Sequence, residues 1–326
     1  MRRHHTVSLT GLCLALACMG SAGAQTPYPN RAIRLVVPSG AGSVTDQMAR
    51  LIAERLSASL KQSVVVDNRP GANGIIAAEA VARAAPDGYT LLYAYSAVFT
   101  INPWTHTKLP FDPLQDFTPI ARPSAQSGNV LIVSSSVPAR NVKELQAYVA
   151  ASQDELSYCS WGIGSGGHLS MAYLNAKTGM KLRHIPYKTA VQCTNDVAAG
   201  HTTIAFSDSV SVLPHIRSGR IRAIASVGKQ RPLPPADAPT LVEQGVAFEQ
   251  SSWTALFGPK GLPAPVVTRL NAEVNAILAS PADRQRFESL NVRLGTPSTP
   301  DDLGELVKRD LAAWGEIAKT AGVVAE

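Results

Sequence analysis

Two glycine-rich segments combine backbone N–H groups and hydroxyls in a pattern that could bind an anion. The first loop, residues 38–46, reads Pro-Ser-Gly-Ala-Gly-Ser-Val-Thr-Asp, and the second loop, residues 161–168, reads Trp-Gly-Ile-Gly-Ser-Gly-Gly-His. Each follows a predicted strand and opens a predicted helix, whose unpaired N–H groups carry partial positive charge. Glycine lets an anion approach them closely. A strand-to-helix loop also needs glycine and a capping Ser or Thr for its own sake. Two such loops together favour a carboxylate or phosphate site.

We expect the pocket to combine these loops with two residues at other strand ends, because ligands of open α/β sheets bind at the carboxyl ends of strands. Asp208 follows a predicted strand, where it could accept a hydrogen bond from a ligand hydroxyl or amine, or from a neighbouring backbone N–H. The candidate ligand-binding residues are Ser39, Gly40, Ala41, Gly42, Ser43, Thr45, Asp46, Ser96, Trp161, Gly164, Ser165, Gly166 and Asp208.

Other chemistries fit these residues less well. Gly162, Gly164 and Gly167 match the dinucleotide pattern G-x-G-x-x-G, but no carboxylate stands at the end of the next strand, where that fingerprint needs one. Ser165 lacks the nucleophile elbow G-x-S-x-G because Ile163 occupies the first glycine position. The histidines form no metal-ligand spacing. We therefore predict no cofactor, no metal and no catalysis.

The elements that must position the loops follow from hydrophobic periodicity. Strands are predicted at 33–37, 64–66, 89–93, 130–133, 157–160, 183–185, 202–206 and 221–226. Helices are predicted at 45–60, 73–84, 142–151, 167–177, 193–199, 212–217, 266–278 and 303–319. This alternation predicts an α/β fold with mostly parallel sheets. The proline-rich stretch 103–123 is expected to be a long connection.

The domain prediction follows from these series. Residues 25–125 form the first part of lobe 1, residues 126–248 form lobe 2, and residues 249–326 return to lobe 1 with C-terminal helices. Residues 1–24 are predicted to be a signal peptide, because Arg2 and Arg3 precede a short apolar run and a small-residue cleavage site that ends at Ala24. A membrane anchor and a lipoprotein attached through Cys18 are the alternatives; the apolar run is short for a membrane span.

The charge pattern argues against nucleic acid as a partner, and the cysteine content bears on disulfide formation. The chain has 30 Lys and Arg against 24 Asp and Glu, and removal of Arg2 and Arg3 leaves 28 − 24 = +4. The charges are scattered, whereas nucleic-acid binding requires a basic stripe. Cys159 and Cys193 remain after cleavage. In an oxidising compartment an even pair favours a disulfide, with two buried thiols as the alternative.

Further motifs resemble those of one family, the receptors of tripartite tricarboxylate transporters, also called the Bug family. They are the segments 28–31, 66–74, 86–90, 116–120, 164–169, 186–188, 219–223, 239–245 and 269–271. The resemblance implies a two-lobed, periplasmic-binding-protein-like fold (Venus flytrap, type II) with the ligand cleft between the lobes. It further implies a small carboxylate ligand (a di- or tricarboxylate or an aromatic acid), the transporter's membrane subunits as partners, and a periplasmic location.

We expect a monomer that captures this ligand and delivers it to the transporter. A ligand-sensing receptor for a membrane sensor kinase and an exported hydrolase are the alternative functions. The chain departs from the family pattern at Ser39, Ala41, Ser43, Trp161 and Thr189. A first loop with less bulk, facing a tryptophan, suggests the hypothesis of a flat ligand stacked on Trp161.

Overall fold

The computed structural model describes residues 28–124, 129–208, 210–233, 238–290 and 292–323. The predicted signal peptide, its cleavage point after Ala24 and the alternative lipid attachment at Cys18 lie outside the described residues.

The strands of the described chain form two five-stranded sheets. They are β1 (Ile33–Val37), β2 (Val64–Asn68), β3 (Thr90–Tyr95), β4 (Phe117–Ala121), β5 (Val130–Ser134), β6 (Ser157–Ser160), β7 (Arg183–Pro186), β8 (Ile204–Ser207), β9 (Ile221–Ser226) and β10 (Thr254–Pro259). The spatial order is β2-β1-β3-β10-β4 in the first sheet and β7-β6-β8-β5-β9 in the second.

Each sheet contains one reversed strand. In the first sheet β10 is antiparallel to both β3 and β4, and in the second β5 is antiparallel to both β8 and β9. The other pairs are parallel, with Ile33 opposite Val64 and Ser157 opposite Arg183. The reversed strands are those that the chain enters directly after crossing from the other sheet. Four of the eight neighbouring strand pairs are parallel and four are antiparallel, so both sheets are mixed and not mostly parallel as predicted.

Helices cover both faces of the sheets. They are α1 (Val44–Leu60), α2 (Ile75–Ala82), α3 (Ala97–Thr100), α4 (Asn102–Thr105), α5 (Val142–Ala151), α6 (Gly166–Thr178), α7 (Ala190–Ala199), α8 (Leu213–Arg217), α9 (Ala264–Ala279), α10 (Pro281–Ser289) and α11 (Pro300–Thr320). Because helices pack on both sides, Leu35 and Val36 of β1 are both completely buried, in different hydrophobic clusters. This two-sided burial explains the continuous β-branched runs of the sequence.

Helix α1 illustrates how the sequence defines an element. Ser43 is the N-cap and Asp46 supplies an acid in the first turn, where both side chains favour a helix start. Met48, Ile52 and Leu56 recur every four residues and are buried against the first sheet. The helix ends at Leu60, before Lys61 in the left-handed conformation.

Two elements depart from the predictions. The stretch 103–123 is not simply a connection, because its last residues form β4. Strand β10 was not predicted at all, although every one of its six residues is buried. Strand β10 lies between β3 and β4, so the C-terminal part of the chain completes the first sheet, whose other strands precede residue 122.

The last helix, α11, contacts both lobes, and the division of the chain into domains stays a prediction. The first half of α11 packs Leu303, Leu306 and Val307 into a cluster of the first lobe. Its second half packs Trp314 and Ile317 into the main cluster of the second lobe. Helices α9 and α10 bury Leu270 and Phe287 in a cluster of the first lobe.

Cys159 and Cys193 are joined by a disulfide in the structure. Cys159 lies on β6 and Cys193 on α7, and both are completely buried. The bond joins α7 to β6, and β6 is the strand that leads into the second loop.

Candidate functional site

The first loop presents the start of α1 at the carboxyl end of β1. Ser43 Oγ accepts a hydrogen bond from Asp46 N–H, and the hydroxyl of Ser43 donates to Ser39 Oγ (2.8 Å). Gly40, Ala41 and Gly42 are exposed. Within the described chain no hydrogen bond engages the N–H of Val44 or of Thr45. These two donors at the positive end of α1 are available to an anion.

Asp46 supports this loop from below. Its carboxylate is buried and accepts hydrogen bonds from Gly42 N–H (2.8 Å) and from Asn68 Nδ2 (2.9 Å). It also pairs with Arg50 at 3.0 Å. Burial alone would raise its pKa, but the hydrogen bonds from Arg50, Gly42 and Asn68 outweigh burial and lower the pKa of Asp46. The carboxylate therefore stays ionised and holds the loop in shape; its place among the ligand contacts stays a prediction.

The second loop repeats this geometry in the other lobe. Ser165 caps α6, since its Oγ accepts the hydrogen bond from His168 N–H. Gly164 N–H donates to Nδ1 of the His168 ring (3.1 Å). Gly162 and Gly164 both have positive φ, at 124° and 71°, so the tight turn needs glycine there. Within the described residues the N–H groups of Gly166 and Gly167 have no hydrogen-bond partner, and both residues are buried.

A stack of aromatic rings lies beneath the second loop. The rings of His168 and His184 are stacked with centroids 4.1 Å apart, and the ring of Tyr158 stacks on His184 at 4.9 Å. Burial, together with the neighbouring His168, lowers the pKa of His184 to about 4, so its ring is neutral near pH 7. The stacked rings pack beneath the loop, and the His184 ring adds no charge to it.

The structure contains one Ser–His contact here, between Ser160 Oγ and His184 Nε2 (2.7 Å). Ser160 is completely buried, and its Oγ also contacts the carbonyl oxygen of Gly162 (2.9 Å) and the N–H of Gly162. A substrate cannot reach this hydroxyl. The side chains of Ser165 and His168 do not form a nucleophile–base pair, because Ser165 Oγ bonds the backbone N–H of His168 and not its ring.

The second loop lies against the first lobe. A Cβ atom at Gly164 would be 2.8 Å from Thr105 Cβ, and one at Gly166 would be 3.8 Å from the Ile101 side chain. The same part of the first lobe is tied to the first loop: Asn102 exchanges hydrogen bonds with Asn73, and Gly74, next along the chain, packs on Pro38. The two loops are thus brought to one region, where the lobes meet.

Ser96 and Asp208, the two candidates outside the loops, already have partners. Ser96 N–H donates to the carbonyl oxygen of Trp253, and Ser96 Oγ accepts from Trp253 N–H. Both hydrogen bonds hold the backbone of Trp253, the residue directly before β10. Asp208 accepts hydrogen bonds from Val210 N–H (3.1 Å) and from the N–H and hydroxyl of Ser211. Of the two alternatives for Asp208, the structure shows the contact with neighbouring backbone. A ligand role for either residue stays a prediction.

Trp161 packs over the first turn of α6. A Cβ atom at Gly167 would be 2.6 Å from the indole ring, so glycine at this position makes room for Trp161. The side chain remains half-buried. The hypothesis of a flat ligand stacked on Trp161 stays a prediction.

Four residues near the loops were not among the candidates. The Tyr95 hydroxyl has no hydrogen-bond partner in the described chain, and it would lie 3.1 Å from a Cβ atom at Gly74, beside Pro38. Thr105 contacts the second loop, the amide of Asn129 lies near Gly166, and Ile163 is 51% exposed at the tip of that loop. Tyr95 could have been predicted from sequence, because it ends strand β3 and ligands of α/β sheets bind at the carboxyl ends of strands. Thr105 and Asn129 approach the loops only through tertiary packing.

The described residues offer neither a metal site nor a membrane-spanning helix. They contain no group of three or more His, Cys, Asp or Glu side chains placed to hold a metal ion. No helix among them has the length and apolar character needed to cross a bilayer.

The chain and its structure are similar to those of known proteins. Residues 48–323 match the family described as tripartite tricarboxylate transporter family receptor. The structure is similar to that of Rpa4515 from R. palustris with adipate (34% identity, TM-score 0.83, 92% of this chain and 100% of that one). It is also similar to periplasmic binding protein BugD (34% identity, TM-score 0.80, 92% and 100%).

A third similar structure is MatC (Rpa3494) from Rhodopseudomonas palustris with bound malate (30% identity, TM-score 0.78, 89% of this chain and 99% of that one). These matches confirm the predicted fold class: an α/β protein with the two-lobed architecture of periplasmic binding proteins.

Proposed function

Because the chain belongs to the tripartite tricarboxylate transporter family of receptors, we propose that it binds a small carboxylate between its lobes and delivers it to the membrane subunits of such a transporter. The observation that carries the proposal is the pair of helix starts, α1 and α6, each with two free N–H donors in the first turn. They lie in different lobes and face one region. A carboxylate at each helix start gains from hydrogen bonds and from the helix dipole.

A dicarboxylate suits this arrangement better than a single carboxylate. Adipate and malate, which the titles of two similar structures name, both carry two carboxylates. One carboxylate would bind the first loop, with the free Tyr95 hydroxyl beside Pro38 as a further donor. The other would bind the second loop. Such a ligand contacts both lobes at once and thereby stabilises the closed form over an open one.

The same proposal covers the setting of the protein. Its relatives include periplasmic binding proteins, and we place this chain in the periplasm as a monomer, after removal of a signal peptide that ends at Ala24. Its role is transport and not catalysis. Burial of Ser160 and the capping role of Ser165 support this assignment, because neither hydroxyl is placed as a nucleophile.

Titration calorimetry with adipate, malate, citrate, benzoate and a neutral sugar tests the proposal. We expect saturable binding of at least one carboxylate and no binding of the sugar. Replacing exposed Ala41 in the first loop with Asp should weaken carboxylate binding about tenfold, because a negative charge would stand next to the anion. The fold should be unaffected, since an acid near a helix N-terminus is tolerated.

The matched control is Ala41→Asn, which has the same shape without the charge and should bind carboxylates nearly as well as the wild-type protein. Binding of the sugar alone, or equal affinities for the Asp and Asn variants, would contradict the proposal.

A further inference from the structure

A second concave site lies where the two lobes are joined. Its volume is about 620 Å³. It is lined by Arg122, Gly228, Lys229, Gln230, Leu233, Ser251, Arg284, Glu288 and residues 293–296. Arg122 belongs to the connection from β4 to β5, and Gly228 and Ser251 belong to the connection from β9 to β10. None of these residues is in the first or the second loop, so the joint pocket, as we call it, is separate from the proposed carboxylate site.

The joint pocket is strongly positive. Four cations, Arg122, Lys229, Arg284 and Arg293, line it, and among the described lining residues Glu288 is the one acid. Glu288 and Glu249 offset two of these four positive charges, and the other two are uncompensated among the described residues. Lys229 pairs with Glu249 at an exposed site (3.0 Å), and the guanidinium of Arg284 donates to a neutral carbonyl, that of Leu278 (3.1 Å). Within the described residues neither Arg122 nor Arg293 forms an ion pair or a side-chain hydrogen bond.

The acids that attract Arg122 from α11 are committed elsewhere. Asp302 caps its own helix by accepting from Thr299 N–H and Oγ, and Asp310 accepts from the indole N–H of Trp253 (2.8 Å). Arg309 of the same helix adds a repelling charge. Arg122 is itself half-buried, so burial lowers the pKa of its guanidinium and leaves this cation poorly compensated.

A buried hydroxyl in the pocket wall also lacks a partner. Ser251 is 2% exposed, and its Oγ has no hydrogen-bond partner in the part of the chain that the structure describes. A buried donor without a partner destabilises the folded state. The wall around it is closely packed: a Cβ atom at Gly228 would lie 3.0 Å from Ser251 Cβ, and one at Gly295 would lie 2.8 Å from the carbonyl oxygen of Arg122.

We propose that the joint pocket binds a small multivalent oxyanion, of the phosphate or polycarboxylate type. Four cations that come from three separate parts of the chain suit a ligand with several negative oxygens. A single guanidinium group can donate two parallel hydrogen bonds to two oxygens of such a ligand. Ser251, whose Oγ has no partner among the described residues, stands in the wall of the same recess. The recess holds a small molecule, and its walls come from both connections between the lobes. This site is additional to the proposed carboxylate function and does not depend on it.

Calorimetry with inorganic pyrophosphate at constant ionic strength tests the joint pocket. We expect saturable binding with one site per chain. The double substitution Arg122→Gln with Arg293→Gln should reduce the affinity at least about tenfold, which corresponds to about 1.4 kcal/mol. Arg293→Gln alone should reduce it about threefold. Arg293 is exposed and without described partners, so this single variant also answers the case in which the double variant is unstable.

Two controls locate the binding. Lys143→Gln removes an equally exposed cation on α5, outside the pocket, and should leave pyrophosphate affinity unchanged. Ala41→Asp, the variant that weakens carboxylate binding, should also leave it unchanged. Equal losses with Lys143→Gln, a loss with Ala41→Asp, or the same heat from chloride at matched ionic strength would overturn the proposal. These outcomes are distinct from failure of the carboxylate panel, which tests a different site.

Discussion

At the scale of single residues, a carboxylate from a loop that binds anions need not repel its ligand. Asp46 is buried and directs both oxygens toward Gly42, Asn68 and Arg50. Its charge is matched by these donors, so the face that the loop turns outward keeps its free N–H groups. Asp46, predicted from sequence as a ligand contact, is hydrogen-bonded to its own loop and to Asn68 in the structure, and a ligand contact stays a prediction.

Replacing Asp46 with Asn should lower the free energy of unfolding by about 2 kcal/mol at pH 7, because hydrogen bonds to a charged group are lost. The folded state lowers the pKa of Asp46, so its stabilising contribution is complete above the pKa of the unfolded chain, about 4. That contribution is lost as the pH falls through the folded-state pKa. Urea denaturation of both proteins should therefore show a difference that shrinks on acidification.

Asp154→Asn provides the matched control, since Asp154 is exposed and its carboxylate should contribute little at either pH. A difference between wild type and Asp46→Asn that grows on acidification would contradict the role assigned to this carboxylate.

At the scale of elements, the second loop depends on glycine for two separate reasons. Gly164 has a φ of 71°, which favours glycine for its backbone, and it lies where a Cβ atom would contact Thr105 of the other lobe. Gly179 at the end of α6 has the same φ of 71°, but a Cβ atom there would meet nothing within 4 Å. A comparison of substitutions at Gly164 and Gly179 therefore distinguishes the effect of backbone strain from the effect of contact between the lobes.

Gly164→Ala should weaken binding of the carboxylate found by the panel about tenfold or more, because the added methyl group holds the lobes apart. Gly179→Ala should leave that affinity nearly unchanged. Both variants should lose about 1 kcal/mol of stability from the strained backbone. Calorimetry for affinity and urea denaturation for stability measure the two effects. Equal affinities for the two variants would show that the contact with Thr105 does not limit closure.

At the scale of the whole molecule, α11 links the two lobes in addition to the two chain connections. Its first half is buried in the first lobe, and its second half places Trp314 against Phe248 of the second lobe (5.9 Å between ring centroids). Trp104 of the first lobe packs on Gly315 and donates its indole N–H to the carbonyl of Leu311 (2.8 Å). The lobes therefore share a helix in addition to the connecting chain segments.

Trp314→Ala should lower the free energy of unfolding by about 3–5 kcal/mol, as removal of a large buried aromatic side chain does. Hydrogen exchange should show the loss of protection in the second half of α11 and in α6. The matched variant Leu306→Ala, in the first half of α11, should instead affect the first lobe. The same pattern of exchange in both variants would contradict a helix divided between the lobes.

The sequence by itself determined the family, the alternation of strands and helices, and the two capped helix starts, because these depend on local periodicity and on residues close in the chain. Only the tertiary structure decided the rest. Strand β10 completes a sheet whose other strands lie more than 130 residues earlier, and α11 divides its apolar face between two cores. Burial on all sides leaves no alternation by which β10 could be recognised, and no local pattern tells which core a helix face will meet.

The roles of Asp46 and Thr105 at the site also depend on contacts between residues that are distant in the sequence. Asp46 stands in the first loop, but its role depends on Asn68, from a neighbouring strand. Thr105 lies 59 residues from Gly164, and only the packing of one lobe on the other brings them into contact. Contacts between distant residues depend on how whole elements pack, and the spacing of residues along the chain does not encode that packing in any simple pattern.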